Sequence, residues 1–491
     1  MSLNEQFRLS KSRFVAGFQC PKLLWWRVHE PDAPELQPDK VLQDLFNQGQ
    51  HVGQVATENF PGGHLIDFPH RQHDAKVVAT QQALADGSPS IYEASFKADN
   101  VFVAVDVLER DSAAFNLIEV KSSTSQKPEH VWDAAIQTHV LRQSGLEVKR
   151  AEIMHLNKEH RNPDVGELFA RTDVTAEVEQ FLPTVPDEID RQLEMLAGPL
   201  PEKPIGPQCF EPRDCPFMAR CWPDVPNHIT TLYNVGPKKT ISYLQQGVHT
   251  IDDLPANTKL PAAAQRQLRA LAEDRLIVEP TLGQALEAFS GRVGYLDFET
   301  VMRAIPVWPG IRPWGPATAQ FSYHEEQDDG TFSHVGYLAE GPGDPRPELA
   351  QAMVDATASA DNIVTYSAYE KTRIRELQAA IPDLAEPLAE LESKLVDLLP
   401  VVRNHVYHPD FKGSFSLKYI LTPLVPELTY DDLVIVDGRL ASVEIARLLF
   451  VAHKIPEEER DRLRKDLLEY CERDTWATVK LLERLRELAA A

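Results

Sequence analysis

Three sets of residues have the types and spacing to do chemistry. The first is Asp106 in VFVAVDVLER, followed by Glu119 and Lys121 in FNLIEVKSS. Both segments alternate with the period of two expected of strands, and RDSAA forms the turn between them. A hairpin sets strand ends side by side, so Asp106 and Glu119 can converge on one hard divalent cation, Mg2+ or Mn2+. Lys121 shares the face of Glu119. There its ammonium can orient or help deprotonate a water attacking a phosphodiester while the metal polarises the phosphoryl oxygen. The plainer reading of Glu119 and Lys121 is an exposed ion pair at a strand end. The helix KPEHVWDAAIQTHVLRQSG, whose Gln137 would face back toward the pair, adds weight to the functional one.

The second set is Asp297 and Glu299 in YLDFET, on one strand face, joined by Glu370 in TYSAYEKTRI, where a strand passes into a helix. Tyr470 and Asp474 in LLEYCERDTWA stand one helical turn apart. Two-metal phosphoryl transfer needs several carboxylates around ions roughly 3.5 to 4 Å apart, and a tyrosine beside them can orient a water. Paired acids on an ordinary strand end or amphipathic helix are the alternative, and Cys471 beside Tyr470 reads as packing.

The third set is thiols. Cys209, Cys215 and Cys221 recur every six residues in QCFEPRDCPFMARCW, and Cys20 lies far upstream in GFQCPKLLWW. Five cysteines in all are too few and too odd in number for a disulfide framework. Four thiolates suit zinc or an iron-sulfur cluster. The absence of a close Cys-x-x-Cys knuckle favours a [4Fe-4S] cluster tying the N-terminus to residue 209 onward, with zinc and unliganded packing as the alternatives.

These sets need scaffolds. The chain has 491 residues, 43% apolar and 25% charged, which fits several soluble α/β domains and excludes whole-chain disorder or coiled coil. The order helix (36–60), three strands, helix, strand surrounds the first acids, and prolines at 199–226 mark a boundary. Short helices follow to about residue 290. From 292 the order is strand, strand, strand, helix, strand, helix, with further helix predicted over AELESKLVDLLP and near the C-terminus. With 74 acidic and 50 basic side chains the net charge is −24, so a nucleic-acid partner would be held by local basic patches or metal ions. One patch is RLSKSRFVAGFQCPKLLWWR, where Trp25 and Trp26 could stack on bases or pack around the cysteines. No signal-peptide pattern and no uncharged apolar run of membrane-spanning length occurs, so a cytoplasmic protein without a membrane partner is expected.

The LSKSRFVAGFQCPKLLWW, AVDVL and IEVKSS segments, Gln137 and the late cysteines together resemble the RecB-like branch of the PD-(D/E)XK nucleases. The likeness is closest to iron-sulfur members related to CRISPR-associated exonucleases and the AddB subunit of helicase-nucleases. It covers roughly residues 8–225. It implies a restriction-endonuclease-like fold, metal ligation by Asp106 and Glu119, catalysis by Lys121, and [4Fe-4S] ligation by Cys20, Cys209, Cys215 and Cys221. Two departures are visible. The family's metal-binding His would fall at Gly53, with His51 two residues earlier, and its Gln-x-x-x-Tyr motif ends here in Leu141. Glu93 or Glu58 could replace the missing ligand. Residues 292–491 resemble the RNase H-like DEDD exonucleases that carry a tyrosine before the last aspartate. That likeness assigns metal ligation to Asp297, Glu299, Glu370 and Asp474 and water orientation to Tyr470. Glu370 stands where Asp is usual, with Asp397 as a substitute. LYNVGPKKT resembles the hairpin of helix-hairpin-helix modules, with Lys238 and Lys239 near phosphate and Asn234 at the usual first glycine.

The expected organisation is therefore a nuclease domain at 1–225, a helical linker at 226–290 and an exonuclease domain at 291–491. The expected activity is Mg2+- or Mn2+-dependent hydrolysis of nucleic acid, DNA before RNA, in repair, recombination or defence, with a helicase or other protein as partner. The alternative is a binding or scaffold protein in which one or both sites are inactive.

Overall fold

The strands carrying Asp106 and Asp297 belong to different sheets in the computed structural model, which describes residues 7–69, 71–163 and 165–491. Two units divide the chain. The first takes residues up to Pro223 together with Arg303–Val307 and Arg312–Trp314; the second takes Asp224–Met302, Trp308–Ile311 and Gly315–Ala491. The short helical segment at 226–290 thus falls within the second unit.

In chain order the first unit contains β1 (Leu9–Ser10), α1 (Lys11–Gln19), α2 (Pro21–His29), α3 (Lys40–Ala56), β2 (His64–Leu65), α4 (His73–Ala85), β3 (Ser90–Ala98), β4 (Val101–Asp111) and β5 (Ala114–Lys121). It continues with α5 (Pro128–Gln143), β6 (Val148–Leu156), β7 (Phe169–Asp173), α6 (Thr175–Phe181), α7 (Val185–Ala197) and α8 (Met218–Cys221). Its mixed sheet runs β2-β3-β4-β5-β6-β7, with β1 added parallel to β4. Alternation along β5 gives the sheet two differently covered faces. Leu117 packs in a cluster with Ala134, Ile136 and Val140 of α5, whereas Ile118 packs with Val107 and with Ala56 of α3. Glu119 shares the face of Leu117, so α5 and α1 cover the acids while α3 covers the opposite face.

The second unit contains α9 (Pro237–Gln245), α10 (Ala262–Glu273), β8 (Ile277–Val278), α11 (Leu282–Leu286), β9 (Val293–Met302), β10 (Pro316–Glu326), β11 (Phe332–Leu338), α12 (Arg346–Thr357), β12 (Asn362–Thr365) and α13 (Tyr369–Ala380). After these come α14 (Ala385–Ser393), β13 (Leu395–Asp397), α15 (Leu399–His405), β14 (Val406–Tyr407), α16 (Leu417–Leu424), α17 (Gly438–Val451) and α18 (Glu457–Ala490). The main sheet runs β11-β10-β9-β12-β13, antiparallel on the β10 side and parallel from β9 through β13. Leu296 and Phe298 of β9 pack against α12, α13 and α14, and Val301 packs toward α17 and α18. Asp297 and Glu299 lie on the Val301 side, under α18.

Two local readings change. The helix predicted over AELESKLVDLLP breaks at Lys394, and Leu395–Asp397 add a strand parallel to β12. The segment before VGPKK is a 3-10 turn (Ile229–Thr231), so only the helix after it is α-helical. Asn234 there adopts φ +59, the left-handed conformation that a glycine usually supplies and asparagine tolerates. Among the described residues no helix is long and apolar enough to cross a membrane.

Gly413 shapes the approach to α16. Its φ is +76, and a Cβ there would collide with the Thr231 carbonyl oxygen. Gly413→Ala is expected to destabilise the second unit by about 1–3 kcal/mol, measured by denaturant unfolding, because the collision is with backbone rather than a movable side chain.

Candidate active sites

In the first unit, the register Val107 opposite Ile118 brings Asp106 alongside Glu119. Asp106 Oδ2 accepts the Val120 N–H at 2.7 Å, and Gln137 Nε2 donates to Glu119 Oε2 at 2.8 Å. Asp133, one turn before Gln137 on α5, receives Lys121 Nζ at 2.6 Å, while the same ammonium lies 2.6 Å from Glu119 Oε1. The predicted quartet of Asp106, Glu119, Lys121 and Gln137 is gathered. Asp133 and one further group join it. Lys11, in the first turn of α1, places Nζ 2.9 and 3.1 Å from the Glu119 oxygens and 3.5 Å from Asp106 Oδ1.

The electrostatics follow from this packing. Burial, then the Glu119 charge, push the Asp106 carboxyl up to about 7 against the pull of the two lysines. Burial works in the same sense on Glu119, but the Lys11 and Lys121 ammonium groups outweigh it and hold that carboxyl well below its usual range. Burial would lower Lys121, yet Asp133 and Glu119 keep it firmly protonated. An ammonium held in this way can orient a water by donating to it. Glu93, exposed on β3, contributes charge to Asp106 and lines the same groove. Glu58 is exposed in a 3-10 turn, and His51 is exposed on α3, the helix on the other face of the sheet. At Gly53 a side chain would meet open space.

A groove of about 710 Å³ adjoins Asp106, lined by Arg8, Lys11, Arg13, Arg27, Lys76 and Lys97. The basic N-terminal stretch thus does reach this site. Its tryptophans do otherwise: Trp26 is buried against Phe217, and Trp25 donates to the Gly198 carbonyl at 3.1 Å. Cys20, Cys209, Cys215 and Cys221 line one small cavity beside Trp26 and Phe217. Gln19 fastens Cys20's helix junction to the cysteine loop by donating to the Gln208 and Arg213 carbonyls at 2.9 and 2.8 Å. Burial, reinforced by the other three thiols, raises Cys215 to about 11.

In the second unit, α18 crosses the Asp297 side of β9. One donor oxygen each from Asp297, Glu299 and Asp474 lies within 4.8 Å of the others. Glu370, in the first turn of α13, is buried, and its Oε2 has no hydrogen-bond partner among the described residues. Asp397 neighbours Glu370 but accepts the Leu399 N–H at 2.9 Å, so it caps a helix start. Tyr470 is buried one turn before Asp474. Two further residues close the site. Tyr430 donates to Asp474 Oδ1 at 2.6 Å, and Lys418 of α16 lies 3.4 Å from the Tyr470 hydroxyl with its ammonium over both tyrosine rings. The backbone of Gly438 also crowds Glu299, leaving 3.3 Å between Oε2 and where a Cβ would stand. Cys471 Sγ lies 3.9 Å from Asp297 Oδ2.

Here the acids are not balanced. Burial, then Asp474, Glu370 and Glu299, push Asp297 well above its usual range. Burial and Asp474 do the same to Glu299 despite Lys418, and burial raises Asp474 and takes Glu370 to about 7. Acids packed this closely need protons or a multivalent cation. The oxygen-rich donor set suits Mg2+ or Mn2+.

Residues 294–416 match a domain of unknown function, DUF2779. The matched stretch takes in Asp297, Glu299, Glu370 and Asp397 and stops before Lys418, Tyr470 and Asp474. No curated protein matches the chain.

A carboxyl raised by folding stabilises the fold while protonated, so its contribution is complete below an unfolded value of about 4 and is lost as pH rises through its folded value. For Glu370 that loss begins near 4 and is complete just above 7, and the more strongly raised Asp297 and Glu299 carry it higher. Without divalent cations the second unit should therefore lose stability between pH 5 and pH 8, and Mn2+ should flatten the profile. Asp297→Asn should gain about 1 kcal/mol without metal and lose the response to Mn2+. Melting curves across pH, with and without Mn2+, check both expectations.

Proposed function

We propose that the chain is a metal-dependent nuclease that hydrolyses phosphodiester bonds, on DNA rather than RNA, with its working centre at Asp297, Glu299, Glu370 and Asp474. The observation that carries this reading is the convergence of Asp297, Glu299 and Asp474, which Lys418 only partly offsets, with the buried Glu370 adding its charge. The RNase H-like assignment draws support from three antiparallel-linked strands followed by helix, strand, helix, with both β9 acids under a C-terminal helix. Mg2+ or Mn2+, when bound by these carboxylates, would supply Lewis-acid polarisation of the phosphoryl oxygen and a nucleophilic water. The chain's own residues do the positioning. Tyr470, fixed between Lys418 and Asp474, holds its proton because burial and the acids raise it, so it directs a water by hydrogen bonding. Tyr430 holds one oxygen of Asp474 in place by donating to it.

For the first unit, the restriction-endonuclease-like reading rests on Asp106, Glu119, Lys121 and Gln137 gathering on one sheet face. The basic groove beside them would follow a phosphate backbone. The four thiols, which line one cavity, would hold a [4Fe-4S] cluster as a structural staple between the start of α2 and the 209–221 loop. A second reading is favoured here by Lys11, whose ammonium pairs with both acids: this site holds a strand without cutting it. Such a role in repair, recombination or defence would engage a helicase or similar partner.

On end-labelled single- and double-stranded DNA with Mn2+, Asp297→Ala is expected to cut the rate by about 100-fold or more. Lys121→Ala separates the two readings of the first unit, since it slows cleavage only where that site cuts. If Asp297→Ala, Lys121→Ala and the double variant all match the unmodified protein, the proposal fails at both centres. Anaerobic purification should yield about four iron and four sulfide per chain, and replacing Cys215 with Ala should abolish both; zinc in their place would refute the cluster.

A further inference from the structure

Outside both acid sites, His324 of β10 and His334 of β11 are directly paired across the two strands. Their ring centroids lie 4.5 Å apart at an interplanar angle of 32°. Glu472 of α18 reaches the same point from the helix, its Oε1 3.8 Å from His334 Nδ1. One donor atom from each of the three residues lies within 4.8 Å of the others. His324 is buried, while His334 and Glu472 are exposed and open to ions in solution.

The second nitrogen of each ring is already occupied. His324 Nδ1 lies 2.8 Å from Thr475 Oγ1, His334 Nε2 lies 3.0 Å from Ser322 Oγ, and the two hydroxyls are 2.7 Å apart. Metal-binding histidines are oriented in this way, with one nitrogen held by a hydrogen-bond partner and the other left for the ion. His324 Nε2 and His334 Nδ1 are what remain. We propose that His324, His334 and Glu472 bind a zinc ion that fastens the β10–β11 edge to α18. Two imidazoles and one carboxylate match zinc, whereas Mg2+ and Mn2+ prefer all-oxygen sites such as the Asp297 cluster. Asp474 lies two residues beyond Glu472 on the same helix, so a zinc clamp here fixes the helical turn that presents Asp474 and Tyr470. Its function is structural support of that turn, separate from the acids' own cation.

Cobalt substitution tests this in the full chain, because cobalt reports its ligands by colour and thiolate ligation adds a charge-transfer band that imidazole and carboxylate lack. The full-length protein should bind a cobalt equivalent with visible d–d absorption and no accompanying thiolate band, and zinc should displace it. Glu472→Gln, an exposed and conservative change, should weaken that binding by about tenfold or more. His334→Ala should abolish it and also abolish the rise in melting temperature that zinc gives, while Asp297→Asn leaves both intact. Equal binding by the unmodified protein and both variants would overturn the proposal. So would loss of the signal in Asp297→Asn, which would put the ion among the acids.

Discussion

Like charges forced together out of water govern the second unit. Strand β9 places two carboxylates on one face, α18 lowers Asp474 onto them, and Glu370 of α13 adds its charge from close by. Each acid would ionise in water at pH 7, yet burial and its neighbours oppose ionisation here. Lys418 is one positive charge against four acids and is partly committed to the Val436 carbonyl and the Tyr470 hydroxyl. The fold tolerates this only with protons or a multivalent cation at the centre, and the stabilisation forgone is the mark of a site built for binding rather than for packing.

The first unit settles the same problem in the opposite way. Asp106, Glu119 and Asp133 face Lys11 and Lys121, and Gln137 satisfies an oxygen of Glu119. Two ammonium groups thus offset most of the charge of three acids, although burial still raises Asp106, and a cation must compete with the Lys11 ammonium. That contrast is why the proposed working centre lies in the second unit, although the first has the longer list of matching motifs.

Period-two alternation made β4, β5, β9 and β10 legible, and helical spacing made α5 and α18 legible, so the acids on those elements could be placed on faces before any fold was known. Residues reaching the sites from unpatterned segments could not. Lys11 sits in a basic stretch that reads as a polymer contact, and its pairing with Glu119 spans 108 residues. Lys418 and Tyr430 come from a short stretch interrupted by Pro423 and Pro426 in which no motif marks either residue. Asp133 was within reach, being one turn from Gln137 on a helix already recognised as facing the acids. The strand at Leu395–Asp397 was hidden because three residues inside a helix-forming run carry too little signal to declare an extended conformation.

Manganese electron paramagnetic resonance on the full chain tests the central claim most directly, because it counts the ion held by the acids without requiring turnover. The account predicts that the unmodified protein takes up Mn2+ and that replacing Asp474 with Asn releases it, while replacing Asp106 with Asn leaves that uptake in place. Uptake unchanged by loss of Asp474 would contradict it.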